Sequence, residues 1–191
     1  MASDDSRLID QTLTGNTEAF GELVLRYQDR LYSTLVHLLG SVHDARDVEQ
    51  DAFLLAFQKL HTFRKDSSFY SWLFRIAYNA AVTSRRKIRK GTSSLSAPGD
   101  EGGRDLSDPH PESDPSSALQ SSELSDQVQA ALEQLSPEYK DALVLKEIEG
   151  FQYEEISTLL NCPVGTVRSR IHRARQLLRE RLARVVEREQ K

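Results

Sequence analysis

The chain has 191 residues, 38% of them hydrophobic, with a formal net charge of −4 and a single cysteine. This length allows one or two small domains, and the lone cysteine excludes an internal disulfide. The longest apolar runs are far too short to cross a bilayer and the start MASDDSRLID is no signal peptide, so we expect a cytoplasmic protein without membrane insertion.

The sequence contains no constellation for catalysis or cofactor binding. The five histidines are scattered, and neither a glycine-rich phosphate loop nor a nucleophile elbow occurs. Asp47 and Asp51 lie one helical turn apart, but no further acid or histidine of that helix completes a metal site. We therefore predict that the protein is not an enzyme and has no catalytic residue, bound metal or cofactor.

Two helices are predicted in the amino-terminal half, and no strand-like alternation appears. The first spans 17–39, opens at Asn16 or Thr17 and ends at Gly40, and the second begins at Ser41. In the second helix, DARDVEQDAFLLAFQKL, the residues expected on one buried face are Ala45, Val48, Ala52, Phe53, Ala56 and Leu60. The pattern predicts a helical bundle.

The opposite face of the second helix combines acids and amides with one large apolar side chain. Asp47, Gln50, Asp51 and Leu54 point away from the predicted core, as does Gln58. Acids and amides on an outer face are usually solvated, and a single exposed leucine is common. A leucine surrounded by acceptors is also suited to the centre of an interface with a basic protein.

The third helical segment, FRKDSSFYSWLFRIAYNAAVTSRRKIRK, begins with several aromatic residues and ends in a basic run. The residues predicted to be buried are Phe69, Trp72, Leu73, Ile76 and Ala80. A polar stripe lies opposite them and comprises Arg75, Asn79, Val82 and Arg86. The loop before the helix contains Lys65, Asp66, Ser67 and Ser68. Basic groups, an amide and nearby aromatic rings together indicate a site for an unstacked single-stranded base.

A segment of different composition follows this helix. Residues 91–126 hold one arginine and eight acids, a balance of −7, and are rich in serine, proline and glycine. Such a segment cannot bury enough apolar surface to offset its ordering entropy. We predict a flexible acidic linker over 91–117, which joins two helical domains spanning 1–90 and 118–191.

The carboxyl-terminal domain contains a predicted helix-turn-helix. A helix with Ser136 as N-cap and Gly150 as stop precedes GFQYEEISTLLN, a tight turn at Cys162 and a second, basic helix. The residues on the inner side of that helix are Val167, Ile171, Ala174 and Leu178. Its outer side carries Arg168, Ser169, His172, Arg173 and Gln176, with Thr166 at the helix entry, where backbone N–H groups suit a phosphate. These donors are typical of a helix that contacts bases in the DNA major groove.

Three ordered motifs carry a family resemblance. DARDVEQDAF, FRKDSSFYSWLFRIAYN and YEEISTLLNCPVGTVRSRIHRAR resemble the extracytoplasmic-function (ECF) group of bacterial sigma factors, over nearly the whole chain outside the linker and the ends. The resemblance implies an all-α chain whose first domain binds the clamp helices of core RNA polymerase and captures the −10 promoter element. The second domain is expected to recognise the −35 element, and an anti-sigma factor is an expected further partner.

The resemblance also implies roles for individual residues. It assigns polymerase binding to Asp47, Gln50, Asp51 and Leu54, −10 recognition to the loop Lys65 to Ser68 with Asn79, and −35 recognition to Arg168, Ser169, His172 and Arg173. We also predict that Arg75 and Arg86 of the polar stripe contact the −10 element. Thr166 at the helix entry is predicted to contact the −35 element.

Two other functions are compatible with parts of the sequence. A conventional helix-turn-helix regulator with a sensing or dimerising first domain explains the second domain, but not the aromatic loop, the basic stripe and the Leu54 face together. An enzyme acting on nucleic acid through the Asp47 and Asp51 carboxylates lacks the remaining ligands.

Overall fold

The computed structural model describes residues 2–92 and 127–189, and the side chains within 4–87 and 127–183. The chain divides into two compact units with a boundary after residue 97, and each unit is considered separately. All regular elements in the described parts are helical, which confirms the predicted all-α class. No helix in those parts is both long and apolar enough to cross a membrane.

The amino-terminal unit contains four α-helices and a 3₁₀ turn. They are α1 (Ala2–Leu13), α2 (Thr17–Leu39), α3 (Val42–Lys59), the 3₁₀ turn Leu60–Thr62 and α4 (Phe69–Thr92). The carboxyl-terminal unit contains α5 (127–133), α6 (Pro137–Glu147), α7 (Tyr153–Leu160) and α8 (Val164–Glu189). The linker predicted for 91–117 lies outside the described residues from position 93 onward. Its first two residues belong to α4.

The predicted helix boundaries around α2 and α3 are confirmed by their caps. The Asn16 side chain accepts a hydrogen bond from the Glu18 amide at 3.1 Å, and the Ser41 hydroxyl accepts one from the Asp44 amide at 3.2 Å. Gly40 ends α2 with φ 74°, a left-handed conformation that glycine adopts without steric cost. The chain therefore reverses over two residues and α3 packs back on α2.

The predicted buried face of α3 is confirmed, whereas that of α4 is confirmed only at Phe69 and Leu73. All six residues proposed for the α3 core are buried. In α4, Trp72, Ile76 and Ala80 are only partly buried. The residues buried along this helix are Phe69, Tyr70, Leu73, Phe74, Ala77, Tyr78 and Ala81. The buried arc is rotated by roughly a quarter turn and is wider than predicted, because α4 packs against both α2 and α3.

Helix α1 was absent from the sequence-based prediction. It packs on α2 through Leu8 and Ile9, whose exposed fractions are 0% and 1%. The buried carboxylate of Asp5 accepts hydrogen bonds from Arg26 and from the Tyr27 hydroxyl. Burial, followed by the hydrogen bond to Asp5, raises the pKa of Tyr27 to about 12. The helix is thus fixed to α2 by both apolar and polar contacts.

The carboxyl-terminal unit has its own core. Helix α8 contributes Val167, Ile171 and Ala174, all buried as predicted, while Leu178 is partly buried. A cluster around Ala174 contains Leu132, Leu135 and Leu143 from the segments preceding α7. Helix α8 therefore packs its apolar side on the other helices, so its opposite side faces outward.

The turn between α7 and α8 is fixed by local hydrogen bonds. Asn161 ends α7 in a left-handed conformation with φ 49°, which asparagine tolerates better than most residues. The Cys162 amide donates to the Ser157 carbonyl at 3.1 Å, and the Ser157 hydroxyl donates to the Cys162 carbonyl at 2.6 Å. Cys162 is partly buried in this turn. The predicted helix-turn-helix is therefore present, with α8 as its second helix.

Candidate nucleic-acid and protein-binding surfaces

The outer side of α8 carries the polar residues that we predicted to contact the −35 element. Arg168, Ser169, His172 and Arg173 are all exposed, and we call them the donor face. Thr166 is partly buried one turn earlier, at the start of the helix, and its carbonyl accepts a hydrogen bond from the Ser169 hydroxyl at 2.9 Å. The structure therefore places all five predicted residues along the amino-terminal part of α8.

Two residues of the donor face have partners that orient them. The Arg168 guanidinium lies over the Tyr153 ring of α7, 5.5 Å from its centroid. The Lys146 ammonium lies 5.0 Å from the centroid of the same ring and donates to the Phe151 carbonyl at 3.2 Å. Arg173 donates from Nη1 to the Gln176 side chain at 2.9 Å. Tyr153 belongs to the stretch GFQYEEISTLLN, and its contact with Arg168 was not predicted.

The other two arginines between residues 168 and 175 form ion pairs with glutamates at the two ends of α6. Arg170 pairs with Glu138 at 3.2 Å, and Arg175 donates to Glu147 Oε1 from Nε at 3.0 Å and from Nη2 at 2.5 Å. The hydrogen bond to Glu147 raises the pKa of Arg175 further above its ordinary value. At 100° per residue, Arg175 lies about 200° from Arg173 around α8. These two arginines therefore form ion pairs between α8 and α6, although the Arg175 side chain remains half exposed.

In the amino-terminal unit, the loop before α4 is held at both ends. Ser68 caps α4 by accepting a hydrogen bond from the Ser71 amide at 3.0 Å, and the two hydroxyls lie 2.8 Å apart. The Lys65 ammonium lies 2.7 Å from a carboxylate oxygen of Asp10 in α1. Asp66 is exposed and Ser67 is partly buried. The four predicted loop residues therefore occupy a short, structured connection.

Aromatic side chains adjoin this loop. The Phe63 ring packs against Trp72 with centroids 5.3 Å apart and against Phe69 at 6.0 Å, while Phe69 lies 5.8 Å from Trp72. Phe69 is buried, whereas Phe63 and Trp72 keep partial exposure. The cluster provides apolar ring surface beside the loop, which is what a captured base requires for stacking.

The polar stripe of α4 is present as predicted. Arg75, Asn79 and Arg86 are exposed, and Val82 is partly buried. At 100° per residue these positions fall within about a sixth of a turn, so they form one line along the helix. The stripe begins close to the loop and leads toward the basic end of α4. This arrangement places cations where they can contact successive phosphates.

The outer face of α3 has an apolar centre. Leu54 is 57% exposed, and Asp47, Gln50 and Asp51 around it are exposed as well. Phe57, 40% exposed and one turn beyond Leu54, was missed, although its spacing of three residues from Leu54 was available in the sequence. We call these five residues the Leu54 patch.

One residue of the Leu54 patch interacts with a titratable neighbour on the same helix. His43 Nδ1 lies 3.3 Å from an Asp47 carboxylate oxygen one turn away. The pKa of His43 is raised, first by a hydrogen bond between its imidazole and its own backbone and then by the Asp47 charge. The Asp47 carboxylate therefore has a local partner, while Gln50 and Asp51 surround Leu54.

A further apolar groove lies in the carboxyl-terminal unit and was not predicted. It has a volume of about 640 Å³ and is lined mainly by apolar residues of α5, α6 and α8. Ile148, 42% exposed, and the partly buried Leu178 belong to it, together with Arg175 and Arg179. The groove is thus bordered by the same helix that carries the donor face.

Comparison with known proteins places both units in one family. Sigma-70 region 2 matches residues 23–91, and Sigma-70, region 4 matches residues 125–178. The RNA polymerase sigma-H factor of Pseudomonas aeruginosa is 38% identical over 179 residues, covering 91% of both chains. The ECF RNA polymerase sigma-E factor of Escherichia coli is 38% identical over 179 residues, covering 91% of this chain and 92% of its own. The chain belongs to the ECF group of RNA polymerase sigma factors.

A solved structure agrees with this assignment. The sigma factor RpoE from Bartonella quintana, in complex with the anti-sigma factor NepR, matches with a TM-score of 0.66 and 25% identity, over 86% of this chain and 96% of that chain. In this sigma factor, the Leu54 patch, the loop and the α4 stripe all lie within the region 2 match, and the donor face lies within the region 4 match. Helix α1 precedes the region 2 match.

Proposed function

We propose that this sigma factor acts in the cytoplasm as a dissociable initiation subunit that performs no covalent chemistry. Its amino-terminal domain attaches to core RNA polymerase and captures a base of the −10 element, and its carboxyl-terminal domain recognises the −35 element. Membership of the ECF group supports initiation as the task. The distribution of exposed residues supports a separate surface for each of the three contacts.

The Leu54 patch is proposed to bind the clamp helices of core polymerase. The observation that carries this assignment is the exposure of Leu54 at 57% beside the exposed Phe57, with carboxylates around them. An apolar centre with a charged rim is the usual composition of a protein interface. The acidic rim favours a basic partner and steers its approach.

The charge-introducing variant Leu54→Arg tests this assignment. Loss of an interface anchor typically costs about 2 kcal/mol or more, which weakens binding roughly thirtyfold, and the new cation opposes a basic clamp. Leu25 supplies a matched control, because it is 70% exposed on α2 and Leu25→Arg makes the same chemical change. Co-purification with bacterial core polymerase should fail for Leu54→Arg and persist for Leu25→Arg. Retention of polymerase by the Leu54 variant, with both variants folded, would remove the patch from the interface.

The loop Lys65 to Ser68, together with Asn79, is proposed to capture the −10 base. Phe63 and Trp72 supply partly exposed rings beside the loop, and the exposed Asn79 amide offers both donors and an acceptor to a base edge. Arg75 and Arg86 are proposed to hold the backbone of the same strand. Extraction of a base costs stacking energy, so a preformed ring surface and aligned cations are the features that make the step feasible.

The donor face of α8 is proposed to recognise the −35 element. Arg168 and Arg173 suit guanine edges, and Ser169 and His172 supply shorter polar contacts. Thr166 at the helix entry is placed to help hold a phosphate. The arrangement follows the general docking of helix-turn-helix proteins, in which amino-terminal residues of the second helix contact base edges.

Regulation by an anti-sigma factor is proposed as well. The structural relative from Bartonella quintana was solved in complex with one. An inhibitor that covers the polymerase-binding and DNA-binding faces would block all three contacts. The apolar groove containing Ile148 offers such a partner additional surface in the carboxyl-terminal unit.

A further inference from the structure

Helix α1 takes no part in the three proposed contacts, although it is firmly attached. Leu8 and Ile9 are fully buried, and the Asp5 carboxylate binds Arg26 and Tyr27 of α2. A second ion pair joins Asp4 to Arg26 at 2.5 Å. The position of α1 relative to α2 is therefore fixed, so a segment that bonds to α1 is fixed as well.

The segment that contacts α1 is the 3₁₀ turn and the loop that precede α4. Helix α1 packs against the 3₁₀ turn Leu60–Thr62, from which the chain enters the loop. Three residues later, the Lys65 ammonium lies 2.7 Å from the Asp10 carboxylate, across 55 positions of sequence. This charge-assisted hydrogen bond connects the first residue of the loop to α1, while Ser68 anchors the last residue as the cap of α4.

The backbone at Lys65 needs such support. Lys65 has φ 61°, and within the described residues it shares a positive φ with only one other non-glycine residue, the helix-ending Asn161. A lysine in the left-handed region is disfavoured and persists where surrounding contacts hold it. The bond from the Lys65 side chain to Asp10 on α1 therefore helps to keep Lys65 in this unfavourable backbone conformation, and with it the path of the loop.

We propose that Asp10 is a positioning residue for −10 recognition. By binding the Lys65 side chain, Asp10 holds the loop in the conformation that accepts the extracted base, which lowers the ordering cost of capture. Asp10 itself does not contact the base. This inference rests on the proposed role of the loop Lys65 to Ser68.

A positioning role for Asp10 and simple neutralisation of the Lys65 charge predict different effects on DNA binding. If Asp10 merely neutralised Lys65, its removal would free a cation and strengthen binding to every DNA sequence alike. A positioning residue instead affects which base is accepted, because the shape of the loop changes. Preference among bases, measured separately from overall binding, therefore discriminates the two roles.

The experiment uses the full chain assembled with bacterial core polymerase and a promoter library randomised in the −10 element. Asp10→Asn should lower discrimination at one −10 position by roughly two- to fivefold, the effect that an exposed charged pair can supply. The loss should shrink as salt rises from about 50 mM to about 200 mM, because salt already screens the pair in the parent protein. Glu22→Gln is the matched control, since it removes one exposed carboxylate from α2.

Two further variants locate the effect. In the double variant with Lys65→Gln, Asp10→Asn should add no loss beyond that of Lys65→Gln alone, because both changes break the same bond. Thermal unfolding should differ little between Asp10→Asn and Glu22→Gln, whereas discrimination should differ. Uniformly stronger DNA binding, additive effects of the two substitutions, or equal discrimination by Asp10→Asn and the parent protein would each overturn the inference.

Asn79→Ala separates this inference from the function on which it rests. If Asn79→Ala alters −10 preference and Asp10→Asn does not, the loop region recognises the element but Asp10 does not position it. If Asn79→Ala and Lys65→Gln both leave −10 preference unchanged, the proposed recognition site is itself wrong.

Discussion

Arg173 and Arg175 are two residues apart on α8, yet the structure predicts that only the loss of Arg173 changes the preference for bases of the −35 element. Arg175 uses its Nε and Nη2 groups on Glu147. Arg173 uses Nη1 on Gln176, and its Nε and Nη2 edge has no partner among the residues that the structure describes. Such an edge can make two parallel hydrogen bonds to guanine.

The size of the effect follows from this difference. A bidentate contact between arginine and guanine is worth about 1–3 kcal/mol of discrimination, so Arg173→Ala should relax preference roughly 5- to 150-fold, mainly at one base pair of the −35 element. The bond to Gln176 need not break, because the guanidinium carries five N–H donors. Arg175→Ala removes an exposed ion pair worth about 0–1 kcal/mol of folding free energy and should leave base preference unchanged.

The assay is selection of −35 sequences from a randomised library by the full chain with core polymerase, at about 50 mM and about 200 mM salt. Loss of a base contact appears as relaxed preference at one position. Loss of a phosphate contact appears instead as uniformly weaker binding, with a salt dependence flattened by about one unit of slope. The two salt concentrations therefore identify the kind of contact that Arg173 makes.

The orientation of α8 proposed here would be refuted by equal effects of the two alanine variants on base preference. It would also be refuted if Arg175→Ala relaxed preference while Arg173→Ala did not. A uniform loss with Arg173→Ala would keep the helix in contact with DNA but assign Arg173 to a phosphate.

The remaining predictions concern two aromatic residues. Tyr153→Leu should weaken −35 DNA binding roughly two- to fivefold by removing the ring under Arg168, whereas Tyr153→Phe should bind normally in a fluorescence titration; equal weakening by both would show that the hydroxyl matters instead. The pKa of Tyr27 is raised to about 12 from an ordinary 10.0, so the stabilisation from its neutral form is complete below about pH 10 and is lost as the pH rises toward 12. Tyr27→Phe should remove a step near pH 12 from the phenolate absorbance titration. It should also lower the unfolding free energy at neutral pH by about 1–3 kcal/mol, because a hydrogen bond to buried Asp5 is lost; an unchanged titration would contradict the assignment.

Periodicity predicted the buried faces of α3 and α8 well, although α3 packs against both α2 and α4. Every predicted core residue of α3 is buried and Leu54 is exposed, because α3 lies with one face against the bundle. The caps at Asn16, Gly40 and Ser41 could be predicted from the sequence because a cap depends only on residues within one helical turn of it. The inner face of α8 was predictable for the same reason as α3.

Prediction failed where the outcome depends on distant packing. The arc buried by α4 also takes in Tyr70, Phe74 and Tyr78, so the pattern of apolar residues within one segment did not reveal it. Helix α1 is short, and much of its attachment is a polar network with α2. Neither the contact of Asp10 with Lys65 nor that of Tyr153 with Arg168 leaves a periodic signal, because each joins residues from different elements.

The arginines of α8 show how a chain with a net charge of −4 can present a surface for DNA. Of the four arginines between residues 168 and 175, two are bound by Glu138 and Glu147, so their charges are neutralised within the unit. Arg168 and Arg173 remain on the outer side with uncharged partners, a ring and an amide. Partners of this kind orient a guanidinium without cancelling its charge. Tertiary pairing, more than the total of basic residues, therefore decides which cations the DNA meets, and this is why charge counted over the whole sequence carries so little information about binding.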